Sequence, residues 1–80
     1  MVINTIEQLK PYLKKSIFFY LKRHILPTGK ICYRLMSYEH HALCNISEKL
    51  FEFLKFSGII YLDTTIYKFD EVNYSKIFND

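Results

Sequence analysis

The sequence predicts one small α+β domain, and three observations lead there. The chain has 80 residues, half of them apolar and 14 of them Phe or Tyr, with two Gly and two Pro; such a composition builds a core and leaves little chain for loops. Leu13, Ile17, Tyr20, Leu21 and His24 recur at the spacing of one helix face. Towards the other end, Ile59-Ile-Tyr-Leu62 and Ile66-Tyr-Lys-Phe69 flank the polar link Asp63-Thr-Thr65, which is a hairpin pattern.

Taken in order, Thr5-Ile-Glu-Gln8 has the form of a capping box and predicts a short opening turn of helix. The main helix is expected over residues 11 to 26, with Pro11 in its first turn and Pro27-Thr28-Gly29 as its stop. Ile31, Tyr33 and Leu35 alternate with Cys32, Arg34 and Met36, as in a short strand. Ser37 reads as the N-cap of a brief helix over residues 38 to 44, and Asn45-Ile46 as a turn. Ser47 caps the next helix, which buries Leu50 and Leu54 and ends at Ser57 with Gly58 as a left-handed cap. After the hairpin, Asp70 caps a last helix over residues 71 to 78 with Tyr74, Ile77 and Phe78 on its apolar stripe.

Charge is divided unequally. Residues 1–36 hold seven bases and one acid, whereas residues 37–80 hold four bases and seven acids, so a net charge of +3 conceals a basic half and an acidic half. The greasiest stretch, residues 16 to 26, is interrupted by Lys22, Arg23 and His24; a membrane span needs about 20 apolar residues. No secretory pattern opens the chain, and two cysteines are too few for a disulfide scaffold, so the expectation is a cytoplasmic protein without membrane contact. Cys32 and Cys44 read first as small buried hydrophobes and second as a disulfide pair.

The order of helix, strand, short helix, turn, helix and two-stranded hairpin resembles the winged helix-turn-helix superfamily. The residues that carry the resemblance are Ser37-Tyr-Glu-His-His-Ala42, Asn45-Ile-Ser47, Leu50-Phe51, Phe56-Ser-Gly-Ile-Ile60, and the pair of runs around Asp63-Thr-Thr65. The likeness covers about residues 11–70. It implies a single winged-helix domain with a C-terminal two-stranded wing and a short terminal helix, of the compact kind that viruses, plasmids and archaea encode as transcription regulators. A helical bundle, or another α+β arrangement in which residues 30–45 are continuously helical, is the competing arrangement.

In that frame the partners are double-stranded DNA and a second copy of the chain, with no cofactor. Lys30, Arg34, Ser47, Lys49, Lys55 and Lys68 are the candidate nucleic-acid contacts, and Tyr12, Phe19, Leu26, Ile77 and Phe78 the candidate dimer interface. Lys14, Lys15, Lys22 and Arg23 either meet phosphate or form a solvated outer face. The recognition helix is charge-neutral, the expected wing tip is acidic and Phe56 points outward, so a protein-binding module on the same fold is the alternative. His40, His41 and Cys44 offer zinc-type ligands without paired half-sites, and no nucleophile, base and pocket converge; the chain is expected to be neither a metalloprotein nor an enzyme.

Overall fold

A computed structural model describes residues 2–13, 19–37 and 39–78. The winged-helix expectation is overturned: the protein is a six-stranded mixed sheet with three helices packed on one of its faces. The order along the chain is β1 (Val2–Ile3), α1 (Ile6–Leu13), β2 (Tyr20–Ile25), β3 (Ile31–Met36), β4 (Ala42–Ser47), α2 (Glu48–Phe56), β5 (Ile60–Asp63), β6 (Ile66–Phe69) and α3 (Glu71–Tyr74), the last running into a 3-10 turn, Ser75–Ile77. In space the strands lie in the order β1-β4-β3-β2-β6-β5. Only β1 and β4 run parallel.

The largest correction concerns residues 20 to 25. Instead of a continuing helix they form β2, paired with β3 along its whole length from Tyr20↔Met36 to Ile25↔Ile31. Pro27-Thr28-Gly29 is a hairpin loop and not a helix stop. The Leu26 carbonyl accepts from the Gly29 N–H at 2.8 Å, the Lys30 carbonyl accepts from the Leu26 N–H at 2.8 Å, and Gly29 has φ +89°. Pro presets the first turn position and Gly takes the left-handed one, the usual chemistry of a three-residue hairpin loop. The remainder of the predicted helix, residues 14–18 with Lys14, Lys15, Ile17 and Phe18, lies outside the described residues.

The second correction concerns residues 42 to 47, where a strand stands in place of the predicted helix and turn. Ser37 does accept a backbone N–H through its hydroxyl, from His41 at 3.1 Å, but within a turn closed by His40 N–H to Ser37 C=O at 2.9 Å. His40 occupies the left-handed region at φ 65°. A bulge follows, since Leu35 pairs with Cys44 and Met36 with Ala42, leaving Leu43 as the extra residue.

Other elements form as their residues dictate. Thr5 Oγ1 accepts from the Gln8 N–H at 3.3 Å and opens α1, which includes Pro11. Ser47 Oγ accepts from the Leu50 N–H at 3.2 Å and opens α2, and Gly58 follows it at φ +74°. Asp70 accepts from the Asn73 N–H at 2.8 Å and opens α3.

All three helices cover the same face. Leu9 and Leu13 of α1, Leu50, Phe51 and Leu54 of α2, and Tyr74 with Ile77 meet Leu21, Tyr33, Leu35, Ile46, Ile60 and Phe69 of the sheet in one buried cluster. At its centre the Phe51 ring stacks on Tyr33 at 3.6 Å between centroids, and Tyr67 meets Phe51 edge-on at 4.7 Å. Tyr74 ties the far end by donating its hydroxyl to the Leu13 carbonyl.

Candidate nucleic-acid interface

Period-two alternation sends the remaining strand side chains to the other face, where no described helix lies. Register assigns them to rows. Tyr61 on β5, Lys68 on β6, Tyr20 on β2, Met36 on β3 and Ala42 on β4 stand side by side in one row. The next row is Lys22, Arg34, Asn45 and Val2, and a third holds His24, Cys32 and Ser47. Neighbouring strands lie about 4.8 Å apart. The open face therefore carries tyrosines in one row and two cations at the centre of the next.

Its electrostatics differ from those of the helix face. Lys22 and Arg34 are direct cross-strand partners, and among the described residues neither has a carboxylate within ion-pair distance. Like charges directly opposite each other destabilise a sheet. The Arg34 guanidinium lies 2.9 Å from Nε2 of His24. Lys22, Arg23, His24, Arg34 and Met36 line a hollow of about 180 Å³ with no acidic residue in its wall.

Among the described strand residues, one acid points to the open face. Asp63 binds Lys68 at 2.8 Å, and that hydrogen bond and charge hold the Asp63 carboxyl below its usual range and the Lys68 ammonium above its own. On the helix face, burial, Tyr67 and Glu48, followed by Glu52, raise the Tyr33 hydroxyl, with Arg23 opposing.

The sequence-predicted contacts are divided between two places. Arg34, Lys68 and Ser47 belong to the open face. Lys30 and Lys49 join Ser47 and Cys32 at the end of that face, around a shallow hollow of about 590 Å³ between the β2–β3 loop and the start of α2, with Glu48 in the same wall. Lys55 is exposed on α2 and lines neither hollow. Of the predicted dimer residues, Tyr12 and Phe78 are exposed and Phe19 and Leu26 half-buried, while Ile77, at 3% exposure, is core and has no surface to offer. Sequence reasoning missed Tyr20, His24 and Tyr61, and gave Lys22 a helical setting. Alternation across the Pro27-Thr-Gly29 loop was the signal that places the first two and Lys22 on one face.

The residues considered for zinc do not converge. His40 Nδ1 bonds the Tyr20 hydroxyl at 2.7 Å, His41 lies 4.0 Å from Glu39, and burial pushes the Cys44 thiol up to about 11. Among the described residues no group of three His, Cys, Asp or Glu is placed to hold a metal. Cys32 and Cys44 are free thiols, and their register positions put them on opposite faces of the sheet. No described helix is long and apolar enough to cross a membrane.

Comparison with known proteins returns no family model, no curated protein and no solved structure that matches this chain.

Proposed function

We propose that this protein is a nucleic-acid-binding domain that takes a single strand along the open face of its sheet. The observation that carries the reading is the Lys22↔Arg34 pair: two cations held side by side, without an acid, at the centre of a face that also presents Tyr20, Tyr61 and His24. A sheet holds such a pair at a cost to its own stability, and a phosphate between the two would offset that cost. Tyrosines in the adjacent row offer π-faces on which splayed bases stack, a contact worth about 1–3 kcal/mol per base. A sheet face is also a poorer match to the DNA major groove than to a single strand, since the groove admits a helix or a two-stranded ribbon. The winged-helix resemblance no longer supports a duplex partner, because α2 follows a strand and not the first helix of a helix-turn-helix pair. Regulation of transcription through such a strand is one use of the site.

Fluorescence anisotropy with labelled single-stranded DNA and RNA, and with the matching duplex as competitor, tests the proposal. Contacts from Lys22 and Arg34 predict a slope of log K against log salt of roughly −1.4, or about a 7-fold loss between 50 and 200 mM salt. The Lys22→Glu/Arg34→Glu double variant should abolish binding, whereas Lys55→Glu should change it little. Absence of binding to any single strand at 50 mM salt, or preference for the duplex, overturns the reading.

A further inference from the structure

We infer that the protein forms a twofold dimer by pairing β5 with β5 of a second copy, edge to edge and antiparallel, in a register centred on Tyr61. The inference does not rest on the nucleic-acid reading.

The two edges of the sheet are finished differently. On one side, β4 is covered by the two-residue β1, and the bulge at Leu43 breaks the rest of that edge; short strands and bulges are the usual protection of an edge. On the other side, Ile60-Tyr-Leu62 has no bulge, no Pro and no Lys, and nothing described pairs with it. The Asp70 N–H donates to the Ile59 carbonyl at 2.8 Å, which makes 59 and 70 a hydrogen-bonded pair. Antiparallel pairs alternate. Tyr61 and Asp63 therefore turn their backbone groups towards β6, and Ile60 and Leu62 turn theirs outward, leaving two N–H and two C=O groups along a straight edge.

That edge is complementary to itself. With Tyr61 opposite Tyr61 of the second copy, Ile60 of each chain faces Leu62 of the other, and these outward-turned residues exchange four backbone hydrogen bonds. Every side chain keeps its face: Ile60 and Leu62 meet on the helix side, the two tyrosines on the open side. Charge permits the approach, because Asp63 is neutralised by Lys68 of its own chain. Among the described residues the three most exposed large apolar side chains are Phe56 at 83%, Val72 at 75% and Leu62 at 60%, and the last stands on this strand. A single 80-residue core supplies only about 3–5 kcal/mol, so burial of Leu62 against a second copy has an evident use. The dimer places both open faces on one side of a continuous sheet.

Sedimentation velocity from micromolar to millimolar concentration should show a monomer–dimer equilibrium. Leu62→Lys should shift it to monomer while Phe53→Lys, at an exposed site elsewhere, leaves it unchanged. In a Cys32→Ala/Cys44→Ala background, Tyr61→Cys should cross-link under mild oxidation at least roughly tenfold faster than Leu62→Cys, because only position 61 meets itself across the axis, with the Cα atoms of such a pair about 4.5 Å apart. A wild-type monomer at every concentration overturns the inference. So does a Leu62→Lys variant that dimerises like wild type, or a Leu62→Cys variant that cross-links as fast as Tyr61→Cys.

Discussion

The two faces of the sheet are built from the same six strands and show opposite priorities. Towards the helices, residues such as Leu21, Leu35, Ile46 and Phe69 are buried with Phe51 and Leu54. Towards the open side, Lys22 stands beside Arg34, with Tyr20, His24 and Lys68 around them. The first arrangement is explained by stability alone. The second is a departure from what stability favours, and such departures mark the place where a protein meets something else.

Substitutions on the two faces should therefore separate folding from binding. The largest effect is expected from Phe51→Ala, which removes a ring that is 1% exposed and stacked on Tyr33. A loss of about 3–5 kcal/mol approaches the whole stability of a domain this size, so urea denaturation should show a chain mostly unfolded without denaturant. Survival with a normal transition would break the description of the helix face as the structural one.

The hairpin at the sheet edge provides a smaller test. Thr64 occupies the left-handed region at φ 61°, where a β-branched side chain is crowded. Thr64→Gly should raise the unfolding free energy by about 0.5–1 kcal/mol, the relief exceeding the entropy that Gly adds to the unfolded chain. The denaturant midpoint reports it, and nucleic-acid affinity should not move.

The smallest effect concerns Asp63 and Lys68. Because Asp63 is held below its free value of 3.8 by Lys68, its contribution is present above that pH and is lost as pH falls through the lower folded value. The stability difference between wild type and Asp63→Asn should thus be visible at pH 5 and shrink progressively as the pH is taken below 3.8. The same variant frees the Lys68 ammonium and should tighten single-strand binding slightly at neutral pH, with a steeper salt slope.

Legibility in the sequence divides near residue 46. Beyond it, each signal had one structural meaning: the Ser47 cap, Gly58, the paired β-rich runs and the Asp70 cap all correspond to what forms. Before it, the helix start at Thr5 and the strand over Ile31–Met36 also form as expected, but other signals had two meanings. Leu13, Ile17, Tyr20, Leu21 and His24 match a helical period, yet Tyr20 to Ile25 also alternate, and only the pairing with Ile31–Met36 decides between them. Pro-Thr-Gly ends helices and also turns hairpins. The Ser37 hydroxyl accepts a backbone N–H in a turn just as it would at an N-cap. β1, at two residues, carries no periodicity at all. Two such choices, both resolved towards helix, were enough to convert a six-stranded sheet into the resemblance of a winged helix. The site followed the fold: Arg34 and Lys68 were found by charge alone, whereas Tyr20, His24 and Tyr61 needed the register.

The most direct test of the central claim is Arg34→Glu, measured for stability and binding in the same preparation. The change converts a like-charge cross-strand pair into an opposite-charge pair, so the unfolding free energy in urea should rise by about 0.2–1 kcal/mol, while affinity for a single-stranded oligonucleotide falls by roughly tenfold with a shallower salt slope. A variant that is less stable and binds as tightly as wild type would contradict the account, because Arg34 would then be serving the sheet and not a ligand.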